Sequence, residues 1–505
     1  MTTEYVLAID VGTGSIRCLV TDLLGRQVAL AGQPWSYQTP EDLAPMGHEF
    51  QPEELWQTLC QVIREALAEA KIRPEHIRGV SATSQREGAV FLDKKGRELY
   101  AGPNIDLRAL FEGIAIDDEF GAEVYTLCGH KPSLMFVPAK LKWFQINRPE
   151  VYNEINSVLS ISDWVAYRLT GELACELSSA CELGLVDIKR RLWCDKLIER
   201  LNLPRSIYPR LGNAGSRVGM VSARAAAETG LSAGTVVALG AADSQSGLLG
   251  LGLSRPGQVG VVAGWSAPVQ LVTDRPIFDT EGRVWTSCHA LESLWILESN
   301  AGEAGNAYRW LKENLLGDDS PDGYDLMEEM AQSVPPGAEG TLALLGPDLM
   351  NMDKLGLRWG GFLFPLPLSF SQINRSHLVR AVLENLCYAI KANYLQLEEI
   401  SEIGMGAVSL GGGLARSLCL AQILADVLDK PVLVPQHKEV TALGAAMCAA
   451  AGAGLYPSLA EAVMAMKGKQ YRFAPDVGNA AEYAEYYQKW KVASRRMEEL
   501  SQELQ

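Results

Sequence analysis

Residues 8–17 read Ala8-Ile9-Asp10-Val11-Gly12-Thr13-Gly14-Ser15-Ile16-Arg17. An apolar run begins at Tyr5 and reaches Asp10, and after a short Gly/Thr/Ser turn a second strand-like run continues to Thr21. Two such runs joined by a glycine-bearing turn predict a β-hairpin. Because glycine lets the backbone approach an oxyanion and hydroxyl groups add donors, this turn suits a phosphate group.

The turn and the strand end before it predict different roles. Asp10 ends the first strand, where a carboxylate suits a hydrated Mg²⁺ ion. No Gly-Lys-Ser/Thr sequence follows, so the turn is not a Walker loop. On its own it is equally consistent with an ordinary tight turn. As a phosphate site it would use Gly12, Thr13, Gly14 and Ser15.

A second copy of the pattern lies far downstream. Gly264 follows Gly12 by 252 positions, and at the same offset Leu271–Asp274 repeats the residues of Leu19–Asp22. This register predicts a chain of two similar halves, which we place at residues 1–247 and 248–505. Each half would carry one phosphate-facing hairpin, with a nucleotide in the cleft between them. In the second hairpin, the expected contacts are Gly264 and Ser266.

Composition restricts the class of protein. The chain of 505 residues is 48% apolar with a net charge of −16, which predicts globular domains and disfavours a nucleic-acid partner. Ten scattered cysteines without a C-x-x-C pair predict reduced core thiols. The first residues lack a basic segment, so we expect a cytoplasmic protein without a membrane partner. The Ala-rich stretch Leu443–Leu455 is too short to span a bilayer and predicts a close-packed buried helix.

Two polar clusters are candidates for binding a small polyol. A predicted strand, Ile77–Ser84, delivers Gln85, Arg86 and Glu87, and strand ends in α/β proteins are where ligands bind. The second cluster, Asn104–Arg108, contains Asp106. Arg and Glu side chains can donate to and accept from hydroxyl groups, although a surface ion pair would explain them equally well.

Asp243 is the candidate proton acceptor. The predicted strand Thr235–Leu239 leads into it, and a helix follows. An N-cap is the ordinary role of an aspartate there, and both roles are compatible because a helix N-terminus favours the ionised carboxylate.

The remaining elements are predicted from periodicity. Gly411–Gly413 joins a buried strand to a helix, and its glycines would let a flat ligand lie against the backbone. Leu248–Gly257 is expected to be the hinge, Ser376 to cap a long helix, and the tail from Glu482 to form an exposed helix. Further helices are predicted at residues 51–70, 138–147, 162–172, 377–400 and 441–453.

Together these motifs resemble the FGGY carbohydrate kinase family, whose α/β fold is the duplicated actin-like, ribonuclease H-like type. The resemblance implies that the first hairpin binds ATP phosphates, that Asp10 lies beside the metal and that Asp243 is the catalytic base. It also implies nucleotide contacts at a second set of residues: Gly305, Gly412, Gly413 and Ser417. Ala442–Ala446, preceded by Glu439, resembles the family's closing helix.

The resemblance also implies an acceptor class. Arg86-Glu87 is similar to the polyol-binding pair of glycerol kinases, and together with Asn104–Arg108 it looks most like autoinducer-2 kinases. The implied reaction moves the γ-phosphoryl group of ATP, with Mg²⁺, to a primary hydroxyl of a small sugar, polyol or autoinducer-2-like acceptor bound by Gln85, Arg86, Glu87, Asp106 and Asp243.

Alternatives to this implied activity stay open. Trp265 stands where the family usually has threonine in the second hairpin, which leaves room for a nucleotide-binding sensor with weak or no kinase activity. A xylulose or pentulose kinase is the other alternative, and a homodimer stays open.

Overall fold

The structure is a computed structural model that describes residues 4–317, 323–352, 358–367, 369 and 372–504. Its strands are β1 Tyr5–Val11, β2 Ser15–Asp22, β3 Gln27–Pro34, β4 Ile77–Ser84, β5 Ala89–Leu92, β6 Glu98–Gly102, β7 Ser157–Ser160, β8 Cys175–Glu176, β9 Val186–Asp187, β10 Leu192–Trp193, β11 Leu211–Gly212, β12 Arg217–Met220, β13 Val236–Leu239, β14 Val259–Val262, β15 Pro268–Thr273, β16 Trp285–Cys288, β17 Trp295–Asn300, β18 Leu342–Leu344, β19 Gly361–Leu363, β20 Val408–Gly411, β21 Val432–Pro435 and β22 Gln470–Phe473.

The helices are α1 Pro52–Ala70, α2 Leu110–Cys128, α3 Val137–Asn147, α4 Pro149–Tyr152, α5 Ile161–Thr170, α6 Leu177–Cys181, α7 Asp195–Arg200, α8 Ala223–Thr229, α9 Asp243–Gly250, α10 Ala304–Leu316, α11 Gly323–Gln332, α12 Arg375–Ser401, α13 Leu418–Leu428, α14 Val440–Gly452, α15 Leu459–Met466 and α16 Val477–Glu503. Each helix predicted from periodicity is present, with its ends within a few residues of the prediction.

The first half is built on a six-stranded sheet in the order β12-β13-β4-β1-β2-β3. The opening hairpin is confirmed, with β1 antiparallel to β2 and Asp10 paired with Arg17. β4 and β13 run parallel to β1, so their carboxyl ends meet at one edge of the sheet. Asp10, the Gln85–Glu87 turn and Asp243 all follow or end these three strands, and the topology therefore gathers them at one edge.

The second half repeats the arrangement in a seven-stranded sheet, β16-β17-β15-β14-β20-β21-β22. β14 and β15 form an antiparallel hairpin, and β20 runs parallel to β14 as β4 does to β1. The offset of 252 residues holds only for the hairpins, because a much longer segment separates β15 from β20 than separates β2 from β4. The repeat predicted from Gly12 and Gly264 is thus a repeat of strand arrangement, and the constant sequence offset applies to the hairpins alone.

The closing helix α14 belongs to the second half of the chain but packs on the sheet of the first. Its small side chains form a buried cluster with Val6, Ala8 and Leu19 of the opening hairpin. A Cβ on Gly444 would lie 1.9 Å from the carbonyl oxygen of Ser246 in α9, so the two helices cross at backbone contact. The predicted buried Ala-rich helix is confirmed.

Several local predictions were wrong. Asn374, not Ser376, caps α12, because its side chain accepts from the backbone N–H of Ser376. The helix at Asp243 begins with that residue, and Ala242 occupies the N-cap position. The tail helix α16 is only partly exposed, because one of its faces buries aromatic side chains against α12 and α13: Tyr483, Tyr487 and Trp490.

The segment predicted as a hinge, Leu248–Gly257, begins inside α9, and all four of its leucines are buried: Leu248, Leu249, Leu251 and Leu253. All ten cysteines are buried and free, as predicted. Among the described helices, none combines the length and the apolar character needed to cross a membrane.

Candidate active site

The first phosphate turn is held from behind by two aromatic side chains. The indole N–H of Trp35 donates to the carbonyl oxygen of Gly12 at 2.9 Å, and the Tyr37 hydroxyl donates to that of Thr13. Burial raises the pKa of Tyr37 to about 12, so its hydroxyl stays protonated and remains a donor. With these carbonyl groups engaged, the backbone N–H groups of Thr13 and Gly14 have no acceptor within the described chain and are free to bind an oxyanion.

The second turn is held by backbone contacts instead. The N–H of Gly264 donates to the carbonyl oxygen of Ser266 at 2.9 Å, and the N–H of Gly305, at the start of α10, donates to that of Trp265 at 3.0 Å. The Trp265 side chain is 48% exposed. The side-chain amide of Asn300 donates to Ser266 Oγ at 3.5 Å.

The predicted nucleotide loops of the second half meet one another at glycines. A Cβ on Gly305 would lie 2.2 Å from the carbonyl oxygen of Gly264, and one on Gly412 would lie 2.5 Å from that of Ala263. Gly412 also has a φ of +86°, a conformation that favours glycine. Space is open beside Gly413, where a Cβ would meet nothing within 4 Å. The structure therefore brings Gly264, Gly305 and Gly412 together.

Ser417 has a clear structural role. Its hydroxyl caps α13 by accepting from the N–H of Leu420 at 3.0 Å, and it donates to the carboxylate of Glu328. Its contact with a nucleotide stays a prediction.

The candidate acceptor pocket centres on Arg86. Its guanidinium donates twice to the carboxylate of Glu298, at 2.9 and 3.0 Å, and lies 3.8 Å from Glu87 and from Glu182. The guanidinium carbon lies 5.4 Å from the ring centre of Trp285. Glu298 and Trp285 belong to the second half, so the pocket is closed by residues of both halves.

Around this cation, two buried polar atoms have no hydrogen-bond partner within the described chain. Most buried polar groups in proteins are satisfied, so such atoms mark a place where a polar ligand would complete them. The atoms without a partner are Ser179 Oγ and Gln245 Oε1, and beside them Glu182 Oε2 and His130 Nε2 face each other in an ion pair at 3.5 Å.

Burial and neighbouring charges shift the pKa values of the carboxyl groups in this pocket in different directions. Burial raises the pKa of Glu87 to about 8 and that of Asp243 to about 6, although Arg86 opposes both shifts. Burial acts in the same direction on Glu182, but His130 and Arg86 outweigh it and lower the pKa of Glu182 to about 2. Near neutral pH, the pocket therefore contains a protonated Glu87 beside ionised Glu182 and Asp243.

Gln85 connects the acceptor side to the first phosphate turn. Its amide donates to the hydroxyl of Tyr37 at 3.2 Å and accepts from the backbone N–H of Asn104 at 3.0 Å. The side chain of Asn104 in turn donates to Thr13 Oγ1 at 3.3 Å. This chain of bonds fixes the Gln85 turn relative to the phosphate hairpin.

Asp106 is completely buried and engaged by protein groups. It accepts from the guanidinium of Arg108 at 2.8 Å, from the Tyr100 hydroxyl at 2.5 Å and from the N–H of His48 at 2.9 Å. The structure thus gives Asp106 a framework role beneath the pocket, and its direct contact with the acceptor stays a prediction.

Asp10 is placed to receive a hydrated cation. It is 5% exposed, and burial, Asp243 and Glu439 raise its pKa to about 7, whereas Arg17 lowers it from 3.8 Å away. Carboxylates that destabilise one another in this way are relieved by a divalent ion. Within the described chain, no group of three or more His, Cys, Asp or Glu side chains is placed to hold a metal ion, and Asp10 as a Mg²⁺ ligand stays a prediction.

Two sheet-based halves, each with a phosphate-facing hairpin at the cleft, define the class as a two-domain phosphotransferase of the actin-like sugar kinase fold. Family models match both halves: the N-terminal domain of the FGGY family of carbohydrate kinases over residues 5–250 and the C-terminal domain over residues 259–453. The chain belongs to the FGGY family of carbohydrate kinases and is an ATP-dependent phosphotransferase.

Relatives and solved structures agree with this membership. The chain is 34% identical to the autoinducer-2 kinases of Salmonella typhimurium and Escherichia coli K12, with 97% of this chain and 94% and 93% of theirs covered. It is similar to the xylulose kinase of Rhodospirillum rubrum, with a TM-score of 0.84 and 26% identity over 99% of this chain and 100% of that one. Plasmodium falciparum glycerol kinase with ADP shares the fold, with a TM-score of 0.82 and 20% identity over 98% of each chain.

Sequence reasoning missed the second layer of the pocket, namely Glu182, His130, Glu298 and Trp285. Glu298 lies 212 positions from Arg86, and Glu182 sits at the end of a short helix with no recognisable motif around it. No local pattern marks these residues.

Proposed function

We propose that this kinase phosphorylates a small, neutral, hydroxyl-rich acceptor of the autoinducer-2 type, with dihydroxypentanedione as its linear form. The observation that carries the proposal is the buried polar lining around Arg86, in which Ser179 Oγ and Gln245 Oε1 have no hydrogen-bond partner within the described chain and suit a ligand with several hydroxyl groups. The similarity to autoinducer-2 kinases over nearly the whole chain supports the same acceptor.

The charge of the pocket supports a neutral acceptor. Four carboxyl groups act on the guanidinium of Arg86: Glu298, Glu182, Glu87 and Asp243. Glu87 is protonated near neutral pH, Arg86 is already paired with Glu298 and His130 with Glu182, so an anionic acceptor would meet the carboxylate of Asp243 and be repelled. Ionised carboxylates accept hydrogen bonds from hydroxyl groups, while the protonated Glu87 can donate one.

Asp243 is proposed as the general base. Its carboxylate, at the first position of α9, would take the proton from a primary hydroxyl as that oxygen forms its bond to the γ-phosphorus of ATP and the bond to ADP breaks. A pKa of about 6 keeps Asp243 ionised at neutral pH yet basic enough to accept the proton. Arg86, Glu87 and Gln85 would orient the hydroxyl, and closure of the halves would exclude water.

The phosphates are proposed to lie between the two hairpins. The free N–H groups of Thr13 and Gly14, with the hydroxyls of Thr13 and Ser15, would bind them from the first half. Gly264 and Ser266 would bind them from the second, with the nucleotide base against Gly305, Gly412 and Gly413. Asp10 would hold Mg²⁺, which neutralises phosphate charge when bound. A cytoplasmic location, a homodimer and the division into residues 1–247 and 248–505 stay predictions.

A pentulose kinase is the second candidate, because the xylulose kinase of R. rubrum has the same fold at 26% identity. A sensor without transfer is less well supported, since a pure nucleotide switch needs no acceptor pocket beside Asp243.

An acceptor panel tests the proposal. ADP release would be measured with dihydroxypentanedione, D-xylulose, glycerol and gluconate at saturating MgATP. We expect kcat/KM for dihydroxypentanedione to exceed that for xylulose at least tenfold, with gluconate the poorest because of its charge. A preference for xylulose would favour the pentulose kinase, a preference for gluconate would contradict the neutral pocket, and no turnover despite ATP binding would favour the sensor.

A further inference from the structure

The ion pair between Arg86 and Glu298 crosses from one half of the molecule to the other. Arg86 lies in the turn between β4 and β5 of the first half, and Glu298 lies on β17 in the sheet of the second half. Both N–H···O contacts, 2.9 and 3.0 Å, are short and parallel, the bidentate geometry that fixes a guanidinium in direction as well as distance.

The second half prepares Glu298 independently of Arg86. Its Oε2 accepts from the side-chain amide of Gln270 at 2.8 Å, and these two residues are cross-strand partners on β17 and β15. On the other neighbouring strand its partner is Trp285, whose ring lies beside the guanidinium. Glu298 is 3% exposed and Gln270 is fully buried, so the carboxylate has little freedom to reorient.

The first half does not fix Arg86 in the same way. Its own carboxylates, Glu87 and Glu182, lie 3.8 Å from the guanidinium, which is beyond hydrogen-bond distance. Among the described residues, only Glu298 forms a hydrogen bond with the guanidinium. The direction of Arg86, the central donor of the acceptor pocket, is therefore set by the opposite half of the molecule.

The geometry points to Glu298 as a positioning residue of the acceptor site, which holds Arg86 of the first half in its acceptor-binding orientation from the second half. This inference rests on the proposed function in one respect, that Arg86 contacts the acceptor.

A simple stabilising ion pair is the competing explanation, and the second half offers a matched control. Arg380 and Glu384 on α12 form an equally buried pair at 2.8 Å, in which Glu384 also accepts from the Tyr483 hydroxyl. It packs among α11, α12 and α16, away from the Arg86 pocket. Glu298→Gln and Glu384→Gln thus make the same chemical change at two buried pairs.

The two variants would be compared in steady-state kinetics with dihydroxypentanedione and MgATP. For Glu298→Gln we expect the acceptor KM to rise at least tenfold while the ATP KM stays within twofold of wild type. Glu298→Asp, which keeps the charge but shortens the side chain, should recover part of the loss. Glu384→Gln should lower the melting temperature without moving the acceptor KM. An unchanged acceptor KM in folded Glu298→Gln overturns the inference.

A second readout needs no acceptor. Hydrogen exchange of the backbone at residues 84–89, in the half opposite the substitution, should be at least fivefold faster in unliganded Glu298→Gln and unchanged in Glu384→Gln. If wild type does not phosphorylate dihydroxypentanedione, the proposed acceptor fails, and this exchange result still decides whether Glu298 orders Arg86. Unchanged exchange there contradicts the positioning role.

Discussion

The two hairpins have the same backbone arrangement, but different contacts hold their turns. In the first, side chains of Trp35 and Tyr37 engage the turn carbonyls and leave N–H groups and hydroxyls for a phosphate. In the second, the glycine at 305 lets its backbone pack on the backbone of Gly264, and Trp265 is half-exposed. The duplicated hairpin therefore maintains a backbone shape, while each half adds its own chemistry.

The chemical groups are also divided unequally. The carboxyl groups with raised pKa values that we propose act in the transfer, at Asp10, Glu87 and Asp243, end or follow strands of the first half. The second half supplies the glycine loops proposed to bind the nucleotide, and Glu298, which bonds Arg86. Changes at these carboxyl groups should consequently affect the transfer step, and changes in the second-half loops should affect ATP binding.

The largest effect is expected from Asp243→Asn, which removes the proposed base from the first half. Turnover should fall by about 10²–10⁴-fold, the usual contribution of a general base. The ATP dissociation constant, measured by calorimetry, should stay within a few-fold of wild type, because the second-half loops are untouched. Turnover within tenfold of wild type would remove Asp243 from its proposed role.

Two alanine substitutions compare the turns of the hairpins: Gly14 lies in the first turn, and Gly305, at the start of α10, packs on the second. At Gly305 a Cβ would lie 2.2 Å from a backbone oxygen, so Gly305→Ala should displace the second turn, weaken ATP binding by at least tenfold and lower the melting temperature. At Gly14 a Cβ meets no protein atom within 4 Å, so Gly14→Ala should leave the melting temperature unchanged. Equal melting temperatures for both variants would contradict the distinction.

The pH dependence should distinguish the transfer step, which depends on Asp243, from ATP binding. Because burial raises the pKa of Asp243 to about 6 and the base acts as a carboxylate, kcat/KM for the acceptor should rise with pH up to about 6, level off, and fall again as Glu87, with a pKa of about 8, loses the proton that it donates. Below about pH 6 it should fall about tenfold per unit as the base becomes protonated. ATP affinity measured on the same samples should vary much less, and a rate independent of pH between 5 and 7 would argue against Asp243.

Asp10→Asn should lower turnover and raise the stability of the protein. Burial raises the pKa of Asp10 to about 7, so at pH 8 the unliganded protein holds a destabilised carboxylate. The amide removes that charge and should raise the free energy of unfolding by on the order of 2 kcal/mol while weakening Mg²⁺-dependent turnover. Calorimetry at pH 8 and pH 5 checks the sign, since the gain should shrink at pH 5, where Asp10 is already protonated.

The smallest effect is expected at the position where the two hairpins differ most in sequence. Trp265→Thr should lower the ATP KM by about two- to tenfold, the value of one added hydrogen bond. Thr13→Ala in the first hairpin is the matched change and should raise the ATP KM by a similar factor. No effect of Trp265→Thr would mean that Ser266 and the backbone already suffice.

Local pattern was enough to predict the hairpins, the parallel strand ends and the glycine loops, because each depends on residues adjacent in sequence. Asp10, Arg86 and Asp243 were found because strand ends meet at one edge of a parallel sheet. Glu298 was not found, because its role depends on how the two halves of the molecule pack against each other. The tail helix was wrongly predicted to be exposed, because its aromatic side chains become buried only when the helix packs against α12.

Phosphorus NMR of the reaction mixture tests the central claim most directly. With wild type, MgATP and dihydroxypentanedione, we expect a new phosphomonoester signal, split into a triplet by the two protons of a primary carbon, that grows as the ATP signals decline. Growth of inorganic phosphate alone would show that ATP is hydrolysed without transfer. A doublet would show transfer to a secondary hydroxyl, and either result would contradict the account.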